Sequence, residues 1–371
     1  MPRRLLIGVD ASRTLPAQRT GTEQYSVALL RALMALETPH KWRLYAPGPP
    51  PDDLLPLPPR WEWRTIPFPR LWTHARLSWE MLRHRPDLLF VPAHVVPAIH
   101  PRGTVVTIHD LGYLRFPEAH TPVARHYLRW STRWSVRAAH RVIAVSGATR
   151  DDLVNLLHVP EEKIAVVHHG VRTAPLCSDK GNGEESARLQ GIPKPYVLFV
   201  GTVQPRKNLQ RLIRAFRAVV DAGLPHTLVI VGRLGWLTEP IRAEATACGV
   251  VDRVSFAGYV ADAALPGLYA DAEAFAFPSL YEGFGMPALE AMAYGVPVVA
   301  SDTTSLPEIV GDAGALVDPL DEAAIGAALV RVLTDPALRA RLRDVGRARA
   351  ATFTWERCAR ETLAALEGAA R

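Results

Sequence analysis

The 371-residue chain has little of what builds covalent or metal-held frameworks. Its three cysteines, Cys177, Cys248 and Cys358, are far apart, odd in number and in no metal-ligand spacing. That excludes a disulfide scaffold and points to a reducing compartment. There is no Cys-x-x-Cys, no His-Glu-x-x-His and no histidine-rich cluster, so no metal site is expected. No phosphate-binding P-loop and no Gly-x-Ser-x-Gly elbow occur, and no internal repeat is visible. Long apolar runs are missing too: no stretch approaches the roughly 18 uninterrupted apolar residues that a membrane-spanning helix needs. The start, Met1 to Asp10, is basic, but its apolar run is cut by Asp10 and reads as a first core strand, not a signal peptide.

What remains is a globular composition, 48% hydrophobic, in a chain long enough for two domains. Charge is uneven. Residues 1–170 carry 22 Lys+Arg against 14 Asp+Glu, a net +8, and the remaining residues carry 21 against 23, a net −2. A basic first half suits an anionic partner, whether phosphates, nucleic acid or an acidic membrane face, and equally suits scattered surface arginines.

Short apolar strands alternate with helical segments throughout. Strands are expected at Leu5–Val9, Trp42–Ala46, Leu88–Val91, Thr104–Ile108, Val142–Val145 and Ile164–Val167. Helices are expected at Gly21–Glu37 and Thr121–Arg141, with Ser146 capping a third. The proline-dense 46–59 segment reads as a surface loop. The alternation stops between Arg172 and Pro195, where Ser178–Ser186 is polar and glycine-bearing. It restarts with strands at Tyr196–Val200, Thr227–Val231, Arg253–Phe256, Ala272–Phe277 and Val296–Ala300. Helices follow at Leu209–Val220, Glu322–Leu333, Pro336–Ala351 and Trp355–Ala370. The expected architecture is α/β, two doubly wound Rossmann-like domains facing across a cleft. Their bounds are 1–172, a linker at 173–195, 196–353, and a terminal segment, 354–371, returning to the first domain.

The densest signal is the run from Phe277 to Gly295. A strand leads into a glycine loop, then into a helix with Pro287 near its start. The amides of Gly283, Phe284, Gly285 and Met286 lie near a helix N-terminus, a ready anion site. Glu282 and Glu290 bracket it. Gly283-x-Gly285-x-x-Ala288 also satisfies the loose dinucleotide fingerprint, but it does not open the first strand–helix unit, where that fingerprint belongs. Other candidates stand past strand ends, where open α/β sheets bind ligands. Arg206 and Lys207 precede the Leu209 helix: either a phosphate contact or a pair of solvated charges. His109-Asp110 is either an acid–base or hydroxyl-binding pair or a structural one. Gly21, after Arg19 and Thr20, opens the first helix. The Gly232–Gly235 and Gly258–Val260 loops could frame a nucleobase or be ordinary turns. Asp271-Ala-Glu273 reads as surface.

The run Phe277-Pro-Ser-Leu-Tyr-Glu-Gly-Phe-Gly-Met-Pro with Glu290 resembles the Glu-x7-Glu signature of the family 4 retaining glycosyltransferases, which have the GT-B fold. Thr107-Ile-His-Asp110, Val145-Ser146, His168-His-Gly-Val171, Val200-Gly-Thr with Arg206-Lys-Asn208, Gly258-Tyr-Val260 and Ser305-Leu-Pro-Glu308 follow in family order. The resemblance displaces the dinucleotide reading. It implies that Arg206 and Lys207 bind the diphosphate of a nucleotide-sugar and that Glu290 holds the ribose. Glu282 with the Gly283–Met286 amides would hold the sugar. His109 would lie at the donor–acceptor junction, with Gly21, Gly258 and Val260 near the donor. The chain departs from the family at Thr20-Gly21-Thr22, where the family often has a Gly-Gly or Gly-Ile/Val-Gly turn. The implied reaction is transfer of a hexose, with mannose favoured, from a GDP- or UDP-linked donor. The acceptor is a glycan or lipid-linked glycan in envelope synthesis, with no cofactor or metal, in the cytoplasm. A nucleotide-sugar epimerase or hydrolase and a donor-binding protein are the rivals. A second expectation is peripheral membrane contact through the basic first half. It rests on Arg125, Tyr127, Leu128, Arg129, Trp130, Arg133, Trp134 and Arg137, with Trp61, Trp63, Phe68, Trp72 and Trp79.

Overall fold

A computed structural model describes residues 4–370 except 17, 18, 20, 94, 118–120, 172–190, 234 and 236–238. The chain divides into two compact units, 1–170 with 353–371, and 171–352. Most of the segment expected as a linker, including Ser178–Ser186, lies outside the described residues.

The first unit runs β1 (Leu6–Asp10), α1 (Gly21–Met34), β2 (Lys41–Ala46), β3 (Trp61–Thr65), α2 (Ser78–Arg83), β4 (Leu88–Val91) and β5 (Gly103–Ile108). It continues through α3 (Gly112–Arg115), α4 (Pro122–Ala138), β6 (Arg141–Ala144), α5 (Gly147–Leu157) and β7 (Ile164–Val166). Its seven strands are all parallel, in the order β3-β2-β1-β4-β5-β6-β7. Helices cover both faces, so β1, β4, β5 and β6 are buried almost throughout and mostly apolar. Two separate apolar cores, one for each face, follow from that layering. Ser146 caps α5 through the Thr149 amide at 3.0 Å, as its position predicts.

Several expectations are corrected here. The helix expected at Thr121–Arg141 ends at Ala138, because Arg141 already pairs with Val105 in the sheet. Beyond the proline-dense loop lies a strand the loop had obscured, β3, on the sheet edge. Trp61 stacks on Trp42 with ring centres 4.5 Å apart, and Trp63 packs against the same core. Trp72 is buried, its indole N–H donating to the Ile66 carbonyl at 2.8 Å. These three tryptophans therefore belong to packing and leave the basic–aromatic surface; Phe68 and Trp79 remain exposed.

The second unit runs β8 (Tyr196–Val200), α6 (Leu209–Asp221), β9 (Thr227–Val231), α7 (Glu239–Ala247), β10 (Val254–Gly258), α8 (Leu265–Asp271), β11 (Ala274–Phe277) and α9 (Met286–Ala293). It continues with β12 (Val298–Ser301), α10 (Leu306–Val310), β13 (Gly314–Val317), α11 (Glu322–Thr334) and α12 (Pro336–Ala350). Its sheet is also wholly parallel, in the order β10-β9-β8-β11-β12-β13. The strand order reverses between β8 and β11, and the crevice at that switch point is where such sheets bind ligands. In the first unit the switch lies between β1 and β4.

The last helix, α13 (Trp355–Ala369), belongs to the first unit and packs on α1. Cys358, Ala359, Leu366 and Ala369 join the core there, and Glu367 bonds the buried His40 ring at 3.0 Å. Gly170 explains how the chain passes: a Cβ at that position would sit 2.2 Å from the Trp355 amide nitrogen, so only glycine lets the two backbones touch.

Candidate functional site

The site of the second unit is built where β8 and β11 diverge. After β8 the chain makes a tight turn, Pro205–Lys207, and Asn208 takes the left-handed conformation to start α6. After β11 it enters the 278–285 loop, which ends at Gly285 in the left-handed region as the cap of α9. These two loops are stitched together. The Leu280 amide donates to the Arg206 carbonyl at 2.9 Å. The Asn208 side-chain amide donates to the Pro278 and Pro319 carbonyls at 2.9 and 2.7 Å. From the far side, Thr304 Oγ1 accepts from the Glu282 amide at 3.1 Å, and Ser305 Oγ lies 3.0 and 2.9 Å from the Glu282 and Phe284 carbonyls.

This scaffold brings Arg206, Lys207 and Glu282 together. Lys207 and Glu282 are each only 6% exposed, and Lys207 Nζ donates to Glu282 Oε1 at 2.5 Å. The ammonium lies 4.8 Å over the Phe277 ring, and the side-chain stem passes Gly201, where a Cβ would stand 3.6 Å from Lys207 Cε. Arg206 donates to the Tyr281 carbonyl at 3.1 Å and reaches Glu282 Oε2 at 3.7 Å. The alternative of two solvated charges at a helix start therefore fails for Lys207. A buried ion pair contributes little to stability on balance, since desolvation offsets the attraction. What it supplies is fixed charge in a place where phosphate charge can be met.

Gly283, Phe284 and Gly285 are buried in the loop, and Met286 opens α9. Glu290 lies further along α9, half-buried, its Oε2 accepting from the Tyr269 hydroxyl at 3.1 Å. Tyr269 in turn stacks on Tyr294, with centroids 5.4 Å apart. Burial, and then the Glu290 charge, push the Tyr269 phenol well above its ordinary value, so it stays a donor. Tyr269 comes from α8 and Thr304 from the loop after β12; neither carries a local sequence signal for this role.

The Gly258–Val260 and Gly232–Gly235 loops sit beside the same sheet end. The Gly232 amide donates to the Gly258 carbonyl at 2.8 Å, Val203 bonds Arg233, and Gly235 bonds Val203. Gly232 has φ +144, and a Cβ there would lie 2.0 Å from the Gly201 carbonyl oxygen. Val260 is buried, and Arg233 lies 5.1 Å over the Tyr259 ring. Asp271 and Glu273 are committed elsewhere: Asp271 pairs with Lys194, and Glu273 with Arg339 and His226.

In the first unit, His109 follows β5 beside the switch point and is buried. Its Nε2 is 2.9 Å from the Pro92 carbonyl oxygen. A carbonyl only accepts, so the neutral tautomer that makes this contact carries its proton on Nε2. Tyr25 meets the ring edge-on at 4.7 Å, and His169 lies 5.6 Å away. His169 is itself packed between Tyr25 and Trp355. Asp10, which cuts the first apolar run, closes β1 as a buried acid, its carboxyl pushed up by desolvation. Gly21 begins α1, exposed, with open space where a Cβ would stand, so no close approach demands glycine there. Arg19 is committed to Asp53 and the Thr14 carbonyl, which takes it out of the candidate anion contacts. Thr20 lies outside the described residues.

Burial, then the neighbouring His109 and His168, hold His169 well below its ordinary value of 6.5. Neutral when folded, it protonates near pH 6.5 when unfolded. Below that pH the unfolded chain binds more protons, so stability declines as pH falls from there toward the folded-state value. His169→Gln should melt with a shallower decline between about pH 7 and pH 5 than wild type; parallel melting curves across that range would refute the assignment.

Two family models match the chain. One, described as glycosyl transferases group 1, covers residues 184–349. The other, described as glycosyltransferase family 4, covers residues 19–174. The O-antigen chain mannosyltransferase B of Escherichia coli is 33% identical over 306 residues, spanning 80% of this chain and 78% of that one. A D-inositol 3-phosphate glycosyltransferase of Salinispora arenicola is 37% identical over 278 residues, 71% of this chain and 61% of the relative. Among solved structures, sucrose-phosphate synthase from Thermosynechococcus elongatus superposes with a TM-score of 0.73 at 22% identity, covering 98% of both chains. Anabaena HepE in complex with UDP-glucose superposes at 0.70 with 20% identity, over 97% of this chain and 100% of that one. Similarity to a curated mannosyltransferase over most of both chains, family models across both halves and neighbours that share the fold agree: the chain is a glycosyltransferase of the group 1, family 4 type, with the GT-B fold.

Proposed function

We propose that the protein is a retaining hexosyltransferase. It moves mannose from GDP-mannose, with a UDP-sugar as the alternative donor, to a glycan or lipid-linked glycan of an envelope polysaccharide. The observation that carries the reading is the buried Lys207–Glu282 pair with Arg206 beside it at the switch point of the second sheet. Breaking a sugar–diphosphate bond develops negative charge on the leaving phosphate. Arg206 and Lys207 supply fixed positive potential there, with no solvent to reorganise. The acceptor hydroxyl attacks C1 on the face the diphosphate leaves, and its proton passes to the departing phosphate. Glu282 positions the sugar and Lys207 and forms no covalent intermediate.

In this reading the Gly283–Met286 segment lies against the sugar and phosphate, and Glu290 accepts from the ribose hydroxyls while Tyr269 fixes its orientation. His109 is assigned to the transferred sugar by resemblance alone. Gly258 and Val260 border the base. Gly21 remains a donor contact by resemblance alone. Because the positive charge comes from side chains, turnover proceeds without metal, and EDTA should leave it unchanged. The reaction belongs on the cytoplasmic side of the envelope. The curated relative named as an O-antigen mannosyltransferase supports mannose and polysaccharide synthesis; the HepE complex supports a nucleotide-sugar donor.

A thermal-shift screen of nucleotide-sugars, followed by a transfer assay with the best binder, tests this. Transfer with retention at the anomeric carbon is expected. Consumption of donor at full rate without an acceptor would mark an epimerase or hydrolase, and binding without turnover a donor-binding protein. Glu290→Ala should raise the donor KM about tenfold or more, the equivalent of losing hydrogen bonds to a charged group, with a smaller change in kcat; an unchanged KM would remove Glu290 from the donor site.

A further inference from the structure

One residue of the second unit holds a backbone that its side chain opposes. Thr304, in the loop between β12 and α10, has φ +56. Among the described residues, five other than glycine have positive φ. Thr304 alone of them is β-branched, the class for which the left-handed region is a genuine outlier. The turn around it sharpens the conflict. The Leu306 amide donates to the Thr303 carbonyl at 3.3 Å, closing a four-residue turn, 303–306. Ser305 follows at φ −82, ψ −14. Positive φ at the first central position and negative φ at the second is the sign pattern of a type II′ turn, which calls for glycine at that first position. Threonine there strains the fold, and such strain concentrates at functional sites.

What the strained residue holds is the candidate site. Thr304 Oγ1 accepts from the Glu282 amide at 3.1 Å. The next two residues hold the same loop. Ser305 Oγ, of a wholly buried residue, lies 3.0 and 2.9 Å from the Glu282 and Phe284 carbonyls. Leu306 packs against Gly285, where a Cβ would stand 2.6 Å from Leu306 Cδ2. Glu282 is thus gripped at its amide by Thr304 and at its carbonyl by Ser305. Its carboxylate meets Lys207 Nζ at 2.5 Å and Arg206 at 3.7 Å. Grip and carboxylate belong to one residue, so the first sets the direction of the second.

We infer that Thr304 is a positioning residue for the transfer reaction. It occupies a glycine-type backbone because its hydroxyl fixes the Glu282 amide and, through it, the carboxylate on Lys207. Glycine would relax the turn and release the amide; threonine holds the amide and leaves the turn strained. This rests on the proposed role of Lys207 and Glu282 at the departing diphosphate. Positioned charge acts most strongly in the transition state, and a displacement of about 1 Å can cost about a hundredfold in rate. Loosening Glu282 therefore falls on kcat more than on the donor KM.

The test compares three variants at this position with Lys207→Ala, by melting temperature and steady-state transfer. Thr304→Ser keeps the hydroxyl and should stay within about threefold of wild type in kcat. Thr304→Val keeps the shape and loses the hydroxyl; Thr304→Gly loses the hydroxyl and the strain together. Both should lower kcat about tenfold or more, with a smaller rise in donor KM. Their stabilities should separate. Thr304→Gly should melt a few degrees above Thr304→Val, since only valine keeps the strained branch. A residue that serves the fold alone would give another pattern, with Thr304→Gly as active as wild type and rate following melting temperature. That result, beside a Lys207→Ala variant at least about a hundredfold down, would overturn this inference alone. So would Thr304→Ser as slow as Thr304→Val, because the hydroxyl would then be irrelevant. Near-wild-type turnover in Lys207→Ala would overturn the assignment of the site, and this inference with it.

Discussion

Lys207→Ala is expected to lower kcat by at least about a hundredfold, the cost of losing one preorganised donor from the developing charge, about 2.7–4 kcal/mol. The donor KM should rise less. Charge on the departing diphosphate is larger in the transition state than in the bound donor, so the lysine contributes most where the barrier lies. The geometry leaves little room for a substitute. Nζ sits on the Glu282 carboxylate and over the Phe277 ring, the stem beside Gly201, and the residue is almost wholly out of solvent. A variant within a few-fold of wild type in steady-state turnover would remove Lys207 from the chemistry.

The second large effect separates chemistry from folding. Removing either member of the Lys207–Glu282 pair leaves an uncompensated buried charge, which costs about 3–5 kcal/mol. Glu282→Ala and Lys207→Ala should therefore both melt well below wild type. The double variant, with neither charge left behind, should recover much of that loss, with a coupling energy of about 2 kcal/mol or more. Turnover should not recover with it. Glu282→Ala and the double variant should both stay at least about a hundredfold down, because groups that act as a unit lose function together. Melting temperature and steady-state rate on the same preparations decide the matter. If rate tracked stability, so that the double variant regained activity as it regained its melting temperature, the pair would be structural only.

Much of this could be read before any coordinates. The strands at Leu88–Val91, Tyr196–Val200 and Thr227–Val231 coincide with the observed ones, because a parallel sheet covered on both faces demands unbroken apolar runs. The late helices start at their expected first residues, since Asp321, Asp335 and Thr354 cap those starts by side-chain bonds. What was hidden has physical reasons. β3 lies on an edge, half-exposed with no clean alternation, just past the proline-dense 46–59 segment, so no strand was expected there. α7, α8 and β13 are short and rich in alanine or glycine, too brief for a period to register. In the site, Arg206, Lys207, Glu282 and Glu290 were legible from their motifs. That Lys207 and Glu282 bond directly, 75 positions apart, was not, because only the parallel pairing order brings the ends of β8 and β11 side by side. Tyr269 was invisible for the same reason. The stretch rich in tryptophan misled in one respect: Trp61 and Trp72 share their neighbours' aromatic character but pack against the core, Trp61 through its place on edge strand β3 and Trp72 at the start of a π-helical turn, and composition shows neither.

The most direct test of the central assignment is calorimetric titration of GDP and UDP into wild type and into Lys207→Ala, without metal. One of the two nucleotides should bind wild type, with at least about tenfold weaker binding in the variant, the size expected for a charge-assisted contact to phosphate. Equal dissociation constants in the two proteins would contradict the placement of the donor diphosphate at Lys207.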